Sequence, residues 1–221
     1  QHLRDKFMGI MRSANANPEI QLQQFDYTQI SLKMANALLM QMDLNGLIFG
    51  DGSAFAAFGE YLRKSRVATA VIDPLSFDFN NLPTPDVTVE LDHSGLSTTI
   101  ADFFLKRGYA NFAYLGYNDN RWIPLDRIKE RSKLREDAFS RQIEKAGFTC
   151  DICNVTGRFD DKERQQLRDW LVALPKPCAI MAFWDRLARD ATNIALSADL
   201  RIPEQIAIMG TDNDPMMCTS S

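Results

Sequence analysis

The stretch CAIMAFWDRLARDATNIALSADLRIPEQIAIMGTDND, residues 178–214, decides how this chain folds. It opens on an unbroken apolar run, CAIMAFW, and near its end carries another, IAIM, stopped by Gly210. Continuous apolar runs of this length belong to strands covered on both faces, whereas half-exposed strands alternate. The segment between them reads as a helix. Strand, helix and strand in succession make a parallel unit. Asp212, Asn213 and Asp214 stand just past the carboxyl end of the second run. In open α/β sheets ligands bind beyond the carboxyl ends of the strands, so this polar tip is expected to face a cleft.

The same rhythm extends toward the N-terminus. A helix is expected through about Ala16, with Phe7, Ile10 and Met11 at helical spacing. Residues 19–26, EIQLQQFD, alternate like a strand. A helix over 28–43, a buried strand in LNGLIFGDG, a helix over 55–66 and a strand in VATAVIDP follow, then a Pro-containing loop and VTVEL. The second half repeats the pattern. A helix runs from Asp92 to its stop at Gly108, ANFAYLGY is a strand, and NDNRWIPLD is a loop. A long amphipathic helix ends at Gly147, FTCDICNV is a strand, and a helix spans 160–174. The fold class is therefore α/β, with parallel sheets flanked by helices. Two such runs, joined near residues 90–95, predict two lobes, 1–91 and 92–221.

Bulk properties narrow the function. The chain has 221 residues, 45% hydrophobic and 24% charged, with net charge −4. This is the composition of a globular protein, and the negative balance argues against a nucleic-acid surface within the segment. No apolar stretch reaches membrane-spanning length, and the charged N-terminus lacks the apolar core of a signal peptide. A cytoplasmic protein is expected. Cys150 and Cys153 form a C-x-x-C, but in a strand-like stretch rather than at a helix start. His2 and His93 are the only histidines, so neither a zinc site nor a redox motif is expected. No phosphate loop, dinucleotide fingerprint or nucleophile elbow is present. The Asp-Asn-Asp triplet lacks the spacing of a calcium loop. His93, at a helix start, reads as a solvated or capping residue. No metal, no cofactor and no enzymatic activity are expected.

Taken together, WLVALPKPCAIMAFWDRLARDATNIALSADLRIPEQIAIMGTDND (170–214) resembles the effector-binding domain of lac-repressor-type regulators. The similarity is strongest to xylose-operon regulators, in which such a domain is joined to an AraC-type DNA-binding domain. Trp170, Leu171, Leu174, Pro175, Asp185, Ala188 and Arg189 carry it, with the strand that follows. VTVELDHSGLSTTIADFFLKRGYANFAYLG (87–116) looks like the family's crossing from first to second lobe. RSKLREDAF (131–139) looks like its R-x-x-x-F helix start. The resemblance implies a two-lobed periplasmic-binding-protein-like fold with a ligand cleft, and an Arg135 that grips ligand hydroxyls. It implies a monosaccharide effector, with a pentose such as xylose favoured, and a homodimer that meets DNA through a domain outside this segment. The family's first strand precedes its first helix, and its chain returns to the first lobe after the Asp-Asn turn. An incomplete first lobe is thus expected.

The candidate ligand residues are Asp212, Arg135, Trp184, Asp185, Asp92 and Asn213. Asp212, at a strand end, suits paired sugar hydroxyls, against a competing role in an Asx turn. Arg135 offers five donors in a planar fork, against a helix-surface ion pair. Trp184 offers an aromatic face to a sugar's C–H face, against core packing. For Asp185 and Asp92, helix capping competes with contact. Asn213 suits the turn. Trp122 is a loop aromatic, and Asp73 a weaker first-lobe candidate whose neighbour Pro74 indicates a turn. The fold also serves transport proteins and enzymes. A solute-binding protein is the first alternative, separable by an export leader. An enzyme with a carboxylate pair is the second, separable by turnover of the bound compound.

Overall fold

The computed structural model describes residues 2–26, 30–73, 80–118 and 128–218. The chain divides into two compact units, Gln1–Leu91 and Asp92–Ser221.

The first unit contains α1 (His2–Asn15), α2 (Leu32–Leu39), β1 (Gly46–Phe49), α3 (Gly52–Ala57), α4 (Gly59–Lys64), β2 (Ala68–Ile72) and β3 (Val87–Val89). The strands form a parallel sheet in the order β1-β2-β3. Ser31 caps α2 by accepting from the Met34 N–H, and Asp51 caps α3 by accepting from the Ala54 N–H. Ala35, Leu39, Phe49, Phe55, Phe58, Tyr61, Leu62 and Val71 make the core.

Two sequence expectations fail in this unit. The alternating stretch 19–26 forms no strand. Its Phe25 packs as a partly buried side chain against the core, so the alternation records one inward ring and not a sheet ladder. The helix expected over 55–66 is instead two helices, α3 and α4, broken at Phe58. Gly59 opens α4, and a Cβ there would come within 2.6 Å of the Leu82 side chain, which would have to shift.

The second unit contains α5 (His93–Lys106), β4 (Asn111–Tyr117), α6 (Ile128–Lys145), β5 (Cys150–Val155), α7 (Asp161–Ala173), β6 (Cys178–Ala182), α8 (Asp185–Ser197), β7 (Ile206–Met209) and α9 (Pro215–Cys218). Its strands are all parallel, in the order β5-β4-β6-β7. Every residue of β6 is fully buried, as a strand between two helical layers must be. The chain runs from β4 outward to β5, then returns past β4 to β6 and on to β7. Right-handed crossovers in opposite directions put their helices on opposite faces. Accordingly α5 packs with α6, and α7 with α8. The direction reverses between β4 and β6, and the crevice at their carboxyl ends is where such a sheet takes a ligand.

The C-x-x-C lies in β5, with Cys150 opposite Phe112 and Cys153 opposite Leu115. Burial pushes the Cys150 thiol up to about 12 and the Cys153 thiol up to about 11. Cys178, fully buried, is pushed up to about 12. The thiolate is the nucleophile, so these three are protonated and inert at pH 8. The exposed Cys218 is also raised, by desolvation and then by the Asp185 charge. A thiol titration with a chromogenic disulfide at pH 8 is expected to show slow reaction, led by Cys218, until denaturant exposes the rest. Prompt labelling of Cys150 or Cys153 in the folded protein would contradict this. Among the described residues, no group of three His, Cys, Asp or Glu side chains is arranged to hold a metal.

Candidate ligand-binding face

All six candidate residues lie in the second unit, and most gather at the carboxyl ends of β4, β6 and β7. The centre is Arg135, on α6 and 5% exposed. Its Nε–H donates to His93 Nδ1 at 3.0 Å. Its Nη1 donates to the Phe183 carbonyl and to Thr211 Oγ1, the latter at 2.7 Å. The guanidinium also sits 4.7 Å from the centroid of the Phe183 ring. One side chain thus ties the first residue of α5, the end of β6 and the turn after β7. The charged sequence also allows a helix-surface position for Arg135, but the side chain is buried.

The Arg135 bond defines His93. His93 Nδ1 is the acceptor of this bond and so carries no proton in it. His93 is 6% exposed. The expectation of a solvated residue is overturned: Asp92 takes the capping role beside it, and α5 packing on α6 buries the ring. Asp92 accepts from the Gly95 N–H at 2.8 Å as the N-cap of α5, and is itself exposed.

The Asp-Asn-Asp turn is held from two sides. Thr211 Oγ1 donates to the Phe183 carbonyl at 2.7 Å while accepting from Arg135. Asp212 lies beside it, with its Oδ1 3.3 Å from the Thr211 hydroxyl. The backbone N–H groups of Asp212 and Asp214 donate to the two carboxylate oxygens of Asp185, at 3.2 and 2.6 Å. Asn213, exposed between them, has φ 50°, the left-handed conformation that asparagine tolerates. Asp214 caps α9, accepting from the Met216 N–H at 2.9 Å. Asp185 is no N-cap. That position belongs to Trp184, which makes no side-chain capping bond.

Trp184 is half-buried. Its ring lies 5.5 Å from that of Tyr117 and 5.2 Å from that of Phe183. Tyr117 ends β4 and Trp184 follows β6, so this aromatic pair occupies the point where the sheet reverses direction. Ser132 Oγ accepts from the Tyr117 N–H at 2.9 Å, fixing that strand end to α6. Asp73, in the first unit, has φ 56° and pairs with Lys6 at 3.2 Å. Trp122 and Pro74 lie outside the described residues.

A model of the "Periplasmic binding protein-like domain" matches residues 101–221, more than half of the chain. The chain belongs to this family. The periplasmic-binding-protein-like assignment agrees with the parallel, helix-covered sheets, and solved structures share the fold. A LacI-type transcriptional regulator from a Rhodococcus species aligns with TM-score 0.61 at 19% identity, covering 98% of this chain and 76% of that one. A LacI-family regulator from Enterococcus faecium, solved with bound ribose, aligns with TM-score 0.55 at 19% identity, covering 85% and 65%. Among curated proteins, the xylose operon regulatory protein of Haemophilus influenzae is 24% identical over 132 residues. That match takes in 58% of this chain, which spans only about a third (33%) of the regulator's length. No helix of the described residues is long and apolar enough to cross a membrane.

His93, Thr211 and Tyr117 went unnamed as site residues in the sequence. Thr211 and Tyr117 carry the same signal as Asp212, a polar or aromatic group at the end of a buried apolar run. For His93 no local signal exists, because its partner is 42 residues away.

Proposed function

We propose that this chain is the effector-sensing domain of a bacterial transcriptional regulator and that it binds a monosaccharide at the carboxyl-end face of its second unit. The observation that carries the reading is the grouping of Arg135, the Asp212 turn and the Tyr117–Trp184 pair around the β4–β6 reversal point. Sugars need this mixture: paired polar groups for adjacent hydroxyls, and an aromatic face for the C–H side of the ring. Asp212 accepts from hydroxyls, Arg135 donates, and Trp184 stacks. Asp92 and Asn213 serve chiefly as cap and corner. A pentose is favoured, since one relative is named for a xylose operon and one structural neighbour holds ribose.

In this reading the protein is cytoplasmic and dimeric. It meets DNA through a domain outside these residues, of AraC type if the likeness to xylose-operon regulators extends that far. Lobe closure on the sugar is the switch, and it signals only if sugar binds one arrangement more tightly than the other.

The test is a thermal-shift titration against D-xylose, D-ribose, L-arabinose, D-glucose and D-galactose, with Asp212→Ala beside the wild type. A sugar at 100 times its dissociation constant stabilises the folded state by about 2.7 kcal/mol, which for a chain this size raises the midpoint by roughly 5 °C or more. A shift with one sugar, lost in Asp212→Ala, is the expected outcome. No shift with any of the five counts against a monosaccharide effector.

A further inference from the structure

Asp185 begins α8, yet none of its carboxylate contacts serves that helix. The residue is 7% exposed. Oδ1 accepts from the Asp212 N–H, Oδ2 accepts from the Asp214 N–H, and the Cys218 thiol donates to Oδ2 at 3.6 Å. All three donors lie on the turn after β7 or on the short helix it leads into. The backbone there runs hard against Asp185: a Cβ on Gly210 would fall 2.2 Å from Oδ1 and 2.7 Å from the Asp185 Cα. Between the two anchored amides, Asn213 holds its left-handed φ. An ionised carboxylate is suited to the task, because it only accepts and its bonds to backbone N–H groups are charge-assisted.

We propose that Asp185 is a positioning residue of the sugar site. It does not touch the ligand; it fixes the turn from Asp212 to Asp214 so that the Asp212 side chain is presented at the strand ends. The inference rests on the reading of this face as a sugar site, and it replaces direct ligand contact as the role of Asp185. It also explains why the Asp-Asn-Asp turn follows a buried strand so abruptly. The chain gains a rigid polar corner because a neighbouring strand end supplies the acceptor for its amides.

The test is Asp185→Asn in the 221-residue chain. The amide keeps the shape but replaces one acceptor with a donor that opposes a backbone N–H. Hydrogen exchange of the Asp212 and Asp214 amides is expected to quicken by about tenfold or more, while those of Ile180 and Ile208 within β6 and β7 stay protected. By calorimetric titration, D-xylose affinity is expected to fall by about tenfold. In an Asp212→Ala background the same substitution is expected to add less than about twofold, because the two residues act through one contact. Unchanged exchange at Asp212 and Asp214 would overturn the proposal. So would losses that multiply in the double variant, which would make Asp185 an independent ligand contact. If the wild type takes up no D-xylose, the sugar reading fails for that probe, and the exchange measurement alone decides the role of Asp185.

Discussion

Arg135→Ala is expected to lower stability by about 3 kcal/mol or more, the largest single effect at this face. Truncation removes the donor to His93 Nδ1, in the buried contact between α5 and α6, and one donor each from the Phe183 carbonyl and the half-buried Thr211 Oγ1, which keep their bond to each other. Each unsatisfied buried group costs about 1–3 kcal/mol. Loss of the cation–π contact with Phe183 adds about 0.5–1 kcal/mol. A cavity beneath the α5 and α6 layer adds to these. Arg135→Lys is the informative companion. It keeps the charge, but a single ammonium cannot reproduce a planar fork that meets groups on α5, β6 and the turn after β7. Lysine is therefore expected to recover less than half of the loss. Urea denaturation of the three proteins measures it. A full recovery by lysine would show that charge rather than geometry is what the site requires.

Gly210→Ala is the second large effect. The new Cβ meets Asp185 Oδ1 at 2.2 Å, Cα at 2.7 Å and N at 3.0 Å. Two of those atoms are backbone, and no rotamer change moves them away. Overpacking of this kind costs about 1–3 kcal/mol, or roughly 2–4 °C of melting temperature per kcal/mol. Gly9→Ala is the control. It lies inside α1, nothing stands within 4 Å of the added atom, and alanine in a helix interior is worth about 0.5–1 kcal/mol over glycine. The two substitutions are expected to shift the melting temperature in opposite directions. A neutral Gly210→Ala would mean that the turn after β7 is looser than its contacts with Asp185 require.

These expectations depend on contacts of different legibility. The strands of the second unit could be read directly, because β4, β6 and β7 are continuous apolar runs, and only a doubly covered sheet needs them. The residues just past those runs were readable for the same reason, and Asp212, Trp184 and Asn213 stand where that reading put them. Pairings across the fold were not readable. For Asp185 the sequence offers ligand contact or helix capping, whereas its backbone partners lie 27 and 29 residues further along the chain. His93 looked solvated because the helix that buries it is not its neighbour in sequence. In the first unit, periodicity misled over residues 19–26, where one inward ring, Phe25, was enough to imitate a strand. The break between α3 and α4 falls at Phe58, directly before Gly59, inside a stretch whose apolar spacing reads as one helix.

A sugar is proposed to meet the carboxyl-end face of the second unit's sheet. The most direct measurement is an amide and side-chain N–H correlation spectrum of the isotope-labelled chain, titrated with D-xylose. Saturable shifts are expected for the Trp184 indole N–H, the Arg135 Nε–H and the amides of residues 210–214, with the amides at the amino ends of β4 and β6 unmoved. Saturable shifts confined to those amino ends, or to the first unit, would place the ligand elsewhere and contradict this proposal.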